Sequence, residues 1–545
     1  MSDQPIPGNR KSMSGLGRRT FLKAGLLAGG AVLFAPSVLR AAGKHVRKSM
    51  MSPDAAPDLK SYADAVSAML KLPPDDPRNW YRIAMIHMID CPHGSWWFTS
   101  WHRGYLGYFE QICRDLSGNP DFALPYWDWT AYPLAPPAMF GTDNPLDPVN
   151  SPLYIADTAT FDATLRPRVE ALWKAMSPAQ QLEQAKRMNY DFDIFWKDPN
   201  NGVLPAFQQR ANARFLTAAN PNLDANARGL VNLDAIRLAL TPTSFVQAGG
   251  GVAFENGIAS SHQDQIGQYS MLSRAHNFVH MSVGGSDNGK GSYQPPFGLM
   301  SQNLSPCDPI FFLHHCNIDR LWDVWTRKQQ KLGLPTGPVG DVINQLYRPE
   351  PYLFFVDAGG NPVTGKTTAW DYFEIGEFDY SYQPGSGEDI VETPPPLTNE
   401  RLLLSTGPMA MAGHGAMTEA SPAAMSLENL RTAVQQPNTE SAQFAEVSFT
   451  APANAFGKVF SLFVAGSADA PADQRELAGT FTFFGHAGHG ATTTFTTPIS
   501  AALDLLDEKG GIAADKAPIF TLETSDSETG AAQLNSVRVF GLSTS

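Results

Sequence analysis

Cysteine is scarce in this chain: Cys91, Cys113, Cys307 and Cys316 are the only four among 545 residues. That is too few for the disulfide framework of an exported protein of this size. None stands in a CxxC pair, which excludes zinc-ribbon and thioredoxin-like chemistry. A basic excess is also missing. With 40 Lys and Arg against 53 Asp and Glu the formal charge is −13, which argues against nucleic acid or an anionic membrane surface as a partner, since both require basic patches. The apolar run Ala24–Leu39 has only sixteen residues and contains Pro36, short of the ~20 a bilayer span needs. It follows Arg18-Arg19 in "GRRTFLKAGLLAGGAVLFAPSVLRAAG" and ends in small residues. Residues 1–42 therefore read as a twin-arginine export signal, with cleavage expected near Ala41 or Ala42. That predicts a periplasmic or secreted protein with no membrane segment once the signal is removed. Such routes carry folded chains, often with a metal already loaded.

What is present is ordinary globular sequence, long enough for two or three domains. Helices are predicted over "APDLKSYADAVSAMLKLP", over "DDPRNWYRIAMIHMID" with Pro77 near its first turn, and over "SWHRGYLGYFEQICRDLSG" closing on Gly118. Others are expected at Pro178 to Met188, Ser270 to Val283 and Asp308 to Lys331, the last with Asp308 as N-cap and Pro309 at N1. The pattern changes after residue 340. "PYLFFVDAGGNPVTGKT" predicts a strand, a Gly-Asn turn and a second strand, within a small β-rich segment over 341–395. Residues 396–430 read as a flexible linker, since 405–425 are low in bulky apolar residues. From 431 to 545, short alternating runs interrupted by the helix "ISAALDLLDEKGG" predict a β-sandwich-like domain. The expected fold is thus a mainly α domain over 43–340, a β-rich middle segment and a C-terminal β-domain.

The histidines carry the chemistry. His87, His93 and His102 fall within sixteen residues of "HMIDCPHGSWWFTSWHRGYL", with Cys91 two places before the middle one. His276 and His280 lie four apart in "SRAHNFVHMSVGG", so on a helix both imidazoles leave one face. "DPIFFLHHCNIDRLW" adds His314 and His315. A lone pair of histidines is more often a core feature; seven of the chain's twelve in such clusters point to metal. An all-imidazole set with no carboxylate in register disfavours non-haem iron, di-iron bundles and hard cations. Zinc with three histidines and a water stays open. Imidazole also suits copper in both oxidation states, and two facing three-His coppers can hold O2 between them. That means oxygen carriage or oxidation of an electron-rich substrate. His93 and His102, nine apart, would sit on opposite sides of one helix, so His93 is expected on a loop and His102 on the helix that follows. Cys91 is then either a buried thiol or a restraint on that loop.

The strings "SWHRGYLGYFE", "LPYWDWT", "AHNFVHMSVGG" and "DPIFFLHHCNIDRLW" together resemble the tyrosinase, catechol oxidase and haemocyanin family of type-3 copper proteins, over residues 47–382. The resemblance implies two copper ions, the first held by His87, His93 and His102 and the second by His276, His280 and His315, with His314 packing beneath. "CPH" has the form in which some members join cysteine to histidine by a thioether, which implies a Cys91–His93 cross-link. "LPPDDPRNW", "PYLFFVDAGGNP" and Tyr380-Ser381-Tyr382 are similar to plant-type polyphenol oxidases, and Arg47 is placed like the arginine that packs on those tyrosines. "GTFTFFGHAGHG" and "ISAALDLLDEKGG" resemble the plant enzymes' C-terminal domain, which covers the copper site until the linker is cut; the KFDV signature is absent, with "VFSLFVAG" nearby.

Two departures bear on activity. Relatives often carry a Glu shortly before the first ligand of the second copper, which with the following Asn helps deprotonate a monophenol. Asn277 is present, but "YSMLSRA" holds no acid and Gln268 is the nearest polar candidate. The residue over the first copper is expected near Gln302. Asp319, four after His315, either orients a ligand ring or forms a structural pair with Arg320. The tract "MAMAGHGAM" and the pair His486 and His489 could handle copper in transit, although flexible polar surface is the expected reading. The expectation is a copper-dependent phenol oxidase that uses O2 on o-diphenols, with weaker monophenol hydroxylation. The rivals are a haemocyanin-like carrier and a specialised o-aminophenol or phenol oxidase.

Overall fold

A computed structural model describes residues 43–199, 202–208, 214–255, 257–264, 266–287, 292–295, 297–393, 397–406, 411–412, 415–418, 426–432, 441–452, 455–467, 469–484, 492–513, 515–524 and 532–544. The export signal expected over 1–42 and the pair His486 and His489 lie outside the described residues, as do four of the nine residues of "MAMAGHGAM", its histidine among them. No helix among the described residues is long and apolar enough to cross a membrane.

The chain begins with a short strand, β1 (His45–Arg47), and a helical array follows: α1 (Ala56–Lys71), α2 (Trp80–Asp90), α3 (Phe98–Ser117), α4 (Thr158–Lys174), α5 (Pro178–Met188), α6 (Phe192–Lys197), α7 (Val203–Gln208), α8 (Ala225–Val231) and α9 (Leu233–Leu240). After β2 (Gln268–Tyr269) come α10 (Met271–Gly284), the short pair β3 (Ser286–Asp287) and β4 (Tyr293–Gln294), and α11 (Ile310–Leu332). Local chemistry sets the ends. Asn79 caps α2 by accepting from the Tyr81 amide, and Pro77, expected near the first turn, lies just ahead of the helix. Gly118 closes α3 at φ +68°, a left-handed geometry that costs glycine nothing. The start of α11 is shifted by one residue from expectation: Pro309 takes the cap position. Asp308 still serves the helix end by accepting from the Ile310 amide, while both its oxygens hold Arg214.

In the middle segment the two runs expected as strands pair antiparallel around the Gly-Asn turn, but loosely: bridges at Val356–Pro362 and Pro351–Thr368 and amide bonds such as Val363 N to Phe355 O and Tyr352 N to Thr367 O replace a continuous ladder, because the prolines offer no amide. Tyr352 and Phe355 are buried in the same core as the helices, and a Cβ on Gly104 of α3 would lie 2.8 Å from the Phe355 ring. The segment ends in β5 (Tyr380–Tyr382), which pairs parallel to β1, and α12 (Asp389–Glu392).

The stretch read as a linker carries ordered structure. β6 (Leu397–Ser405), β7 (Met411–Ala412), β8 (Gly415–Thr418) and α13 (Leu427–Thr432) lie in it. β8 has hardly any bulky side chains, yet its backbone pairs with a neighbouring strand, and pairing needs no bulk. Beyond it run β9 (Ser441–Thr450), β10 (Phe460–Ala465), β11 (Arg475–Phe481), β12 (Thr492–Pro498), α14 (Ser500–Glu508), β13 (Ile519–Thr524) and β14 (Gln533–Thr544). They form two five-stranded sheets, ordered β11-β10-β13-β8-β7 and β2-β12-β9-β14-β6, whose inward residues share a second core that includes Phe449, Phe460, Phe481, Phe495 and Val537. β2 immediately precedes α10 and pairs parallel with β12. The helix bearing His276 is therefore sewn to the C-terminal sheet.

Candidate metal centre

Four helices and one loop deliver seven histidines to one buried region. His87 comes from the last turns of α2, His102 from the start of α3, His276 and His280 from one face of α10, and His314 and His315 from α11. His93 stands on the loop between α2 and α3, as its spacing from His102 required, and the following Gly94 turns the chain at φ +65°. The first trio has ring centroids 5.1 Å (His87–His93), 5.7 Å (His87–His102) and 5.9 Å (His93–His102) apart. In the second, the Nε2 atom of His315 lies 3.3 Å from that of His276 and 3.2 Å from that of His280. The trios face each other: His102 stacks on His315 at 4.1 Å, and the Phe98 ring sits between His102 and His276.

Tautomers decide which nitrogens can bind metal. His87 Nδ1 donates to Asn303 O at 2.7 Å, His102 Nδ1 to Phe98 O at 2.7 Å and His280 Nδ1 to Met300 O at 2.6 Å. A carbonyl only accepts, so each Nδ1 carries the proton and each Nε2 a lone pair. His276 Nδ1 is held in the same way by Asn277 Oδ1 at 3.0 Å. Burial pushes the imidazoles toward the neutral form that ligates metal, to about 3 at His87 and His276. His87 Nε2 is buried without a hydrogen-bond partner, as a ligand atom would be. His314 is oriented the opposite way. Trp129 Nε1, which can only donate, points at His314 Nδ1 from 3.1 Å, so a neutral His314 carries its proton on Nε2 and offers no lone pair there.

Cys91 Sγ lies 3.5 Å from His93 Nε2 and 3.7 Å from its Nδ1, and 3.4 Å from His102 Nε2. Near-equal distances to the two nitrogens place the sulfur close to the plane midway between them, the plane that contains Cε1. Burial pushes the thiol's pKa well up, against the pull of Arg187.

The remaining expected residues fall in three places. Asn277 is at the site, its amide Nδ2 donating to Thr482 O at 3.1 Å. Gln268 is not: it sits on β2, its backbone amide bonded to Gly94 O, and it lines a small open cleft with Gln247, Glu255 and Glu446. A bulky ring does lie over the histidines, but it comes from Phe484 rather than from the loop around Gln302. Phe484 is 4.0 Å from His280, 5.0 Å from His93 and 5.5 Å from His276 between centroids. The loop around Gln302 instead supplies the Met300 and Asn303 carbonyls, one to each trio.

Asp319 neither orients a ligand nor pairs with Arg320. It is the hub of a buried network, accepting from Arg103 Nε at 2.7 Å, Tyr382 Oη at 2.6 Å, Arg47 at 3.3 Å and the Tyr380 hydroxyl. Two buried arginines need a carboxylate, and this demand outweighs the four-residue spacing from His315. Arg47 packs on Tyr380 as expected, 3.5 Å from the ring centroid, and also holds Glu110 at 2.7 Å. Arg320 instead binds Asn317 Oδ1 and Ser386 O.

Several participants escaped the sequence reading. Phe484 had a signal: "FTFFG" breaks strand alternation, so when Phe483 enters the second core its neighbour must face away. A buried cluster below the first trio had none, because its members are far apart in sequence. Asp90, the last residue of α2, accepts from His262 Nε2 at 2.9 Å, Gln263 Nε2 at 3.0 Å and Trp101 Nε1 at 2.8 Å. His262 Nδ1 meets Glu350 at 2.6 Å, and Glu183 is close enough to His262 and Glu350 for the three to form a further ligand-like group. Burial works against charge on His262, but the two carboxylates outweigh it and raise its pKa to about 9.

Comparison with known proteins supports the same family. Residues 77–328 match the common central domain of tyrosinase. This central part of the chain is similar to the tyrosinase family of type-3 copper proteins. The chain is 28% identical over 281 residues to tyrosinase HcTyr1 of Hahella sp. (strain CCB-MM4), covering 50% of this chain and 43% of that one. It is 25% identical over 342 residues to the chloroplastic polyphenol oxidase of Spinacia oleracea, covering 60% and 45%. Against hemocyanin A-type, units Ode to Odg, of Enteroctopus dofleini it is 27% identical over 369 residues, covering 64% and 23%. The chain thus spans less than half the length of each of these relatives. In fold it is similar to a latent aurone synthase (polyphenol oxidase), at a TM-score of 0.52 and 18% identity with 92% and 91% covered. An octopus hemocyanin functional unit has a TM-score of 0.50 at 18% identity, with 91% and 99% covered. The family's cofactor is a pair of copper ions, and the two histidine clusters could bind them.

Proposed function

We propose that the protein is a dicopper phenol oxidase: two o-diphenols and one O2 give two o-quinones and two waters. In this reading His87, His93 and His102 hold one copper and His276, His280 and His315 the other. The observation that carries it is the pair of facing trios, with Nδ1 of four rings anchored and proton-bearing, and the Nε2 atoms turned inward. Bound copper would supply O2 binding and two-electron oxidation of the substrate. The protein's part is to keep the rings neutral, fix their tautomers and exclude water with Phe98, Phe311 and Phe484, each within 6.4 Å of at least one of the six rings between centroids. Export through a twin-arginine signal belongs to the same proposal.

Monophenol hydroxylation is proposed to be the weaker activity. Asn277, the residue that would share a water with an acid, has its amide engaged by His276 at one end and Thr482 at the other, and no acid precedes His276 in α10. The C-terminal sheet is read as a cover: Phe484 rests on the rings a substrate would approach, and Arg274 on α10 grips Thr480 O and Thr496 O at 2.9–3.2 Å. The Cys91–His93 contact is read as the site of the thioether expected from "CPH", which would restrain the loop ligand.

The test is oxygen uptake by copper-loaded protein on 4-methylcatechol and on tyrosine, before and after limited proteolysis between residues 385 and 425. The expected result is catechol turnover that rises on cleavage and outpaces tyrosine. Reversible O2 binding without turnover in both forms would overturn the proposal in favour of carriage.

A further inference from the structure

The loop that presents His93 is tied past its histidine by the Gln268 amide of β2, which donates to Gly94 O, and before it by one side chain on another element. Arg187, in the last turn of α5, donates through Nη2 to the Cys91 carbonyl at 2.6 Å and through Nη1 to Gln263 Oε1 at 3.1 Å. Gln263 in turn donates to Asp90 at 3.0 Å, and His262 binds the same Asp90 oxygen. Residues 90 and 91, where α2 ends and the loop begins, are therefore gripped from two directions: Asp90 by its side chain and Cys91 by its backbone. α5 is placed for this by Gln184, which donates to Ile89 O at 2.8 Å. The thiol itself is left free to face His93. A guanidinium fork spanning a carbonyl and an amide oxygen fixes direction as well as distance.

We propose that Arg187 is a positioning residue for the Cys91–His93 cross-link, holding the Cys91 backbone so that its sulfur meets the His93 ring. The inference rests on the thioether reading above. In that reaction the Sγ–H bond of Cys91 and the Cε1–H bond of His93 break and an Sγ–Cε1 bond forms. The two electrons and two protons pass to O2, which leaves as hydrogen peroxide. Arg187 contributes no atom and takes no proton. It sets the approach, and misplacement by about 1 Å can slow such an intramolecular step by about 100-fold.

The experiment compares full-length wild type, Arg187→Met and Gln263→Met, each purified without copper, loaded with copper in air and sampled over time. Peptide mass reports the loss of two hydrogens from the Cys91–His93 peptide, alkylation reports free Cys91, and metal analysis and thermal unfolding are read on the same samples. The expected result is cross-linking in wild type, about 10–100-fold slower in Arg187→Met at equal copper content, with Gln263→Met between them and Arg187→Lys partly restored. Equal cross-linking rates in wild type and Arg187→Met would overturn the role of Arg187 while leaving the thioether intact. Wild type that stays fully alkylatable would overturn the thioether reading, and the inference with it. If Arg187→Met does not fold, Gln263→Met decides: a wild-type rate in that variant overturns the proposal.

Discussion

In the proposed dicopper centre the two histidine trios do the same job with different supports. The second is built on helices alone: His276 and His280 share a face of α10, His315 sits on α11, and the β-sheet closes over them through Phe484, Arg274 and Asn277. The first contains a loop ligand, and it is braced from below by Asp90, His262, Glu350 and Arg187, with Cys91 beside the ring. Rigid secondary structure makes three ligands converge without further help, whereas a ligand on a loop has to be tied by hydrogen bonds drawn from distant sequence. The difference teaches where each half is vulnerable: the second through what covers it, the first through what holds it up.

The largest expected effect strips the trios equally. His93→Ala and His280→Ala should each lose one copper per chain by metal analysis and lower catechol turnover by more than about 100-fold, beyond the range seen for outer-shell partners. If His280→Ala kept both coppers, the second trio would be wrongly assigned. The next effect separates them. Phe484→Ala should raise catechol turnover in the uncleaved protein by about 10–100-fold, since a buried phenyl ring is worth about 2–3 kcal/mol to whatever it packs against. The same substitution should do little after proteolysis. Arg274→Gln should move activity the same way by loosening the grip on Thr480 and Thr496, and a cleaved-to-uncleaved activity ratio of one in wild type would remove the cover from the comparison.

Much of this was legible beforehand, for physical reasons that differ by residue. Helix periodicity and the spacing of His276 and His280 place their rings on one face, and a nine-residue gap forces His93 onto a loop. Both follow from geometry that any helix obeys. Asp319 went wrong because spacing along a helix says nothing about a competing demand from Arg47 and Arg103, which arrive from other elements. Gln268 went wrong because nearness in sequence to His276 was outweighed by pairing of β2 with β12. β8 was hidden in a segment of low apolar content, where backbone pairing supplies the order. The brace of Asp90, His262, Glu350 and Arg187 spans residues 90 to 350, and no local pattern could have joined them.

A smaller effect, on stability, tests the brace. The pKa of His262 is raised to about 9 in the folded state, against about 6.5 when unfolded. A raised histidine contributes its full stabilisation below about pH 6.5 and loses it as pH climbs through about 9. That is up to about 3 kcal/mol, so thermal unfolding of wild type should fall between pH 6.5 and 9.5, and the fall should be largely absent in His262→Gln. A parallel decline in both proteins would show that the buried imidazolium does not govern the first trio's support.

The smallest expected effect concerns which histidine of the His314–His315 pair can serve the second trio. Trp129→Phe removes one neutral hydrogen bond to His314, a loss of about 1 kcal/mol in stability, and changes little in turnover while His315 is present. The consequence appears when His315 is gone. In His315→Ala alone, the Trp129 donor keeps the His314 proton on Nε2, and metal analysis should show one copper. In the double variant Trp129→Phe with His315→Ala, the proton can move to Nδ1 and free the Nε2 lone pair beside His276 and His280, so part of the second copper should return. A full second copper in His315→Ala with Trp129 intact would mean that the tautomer does not exclude His314, and that the helix frame alone, without the hydrogen bond, selects the ligand.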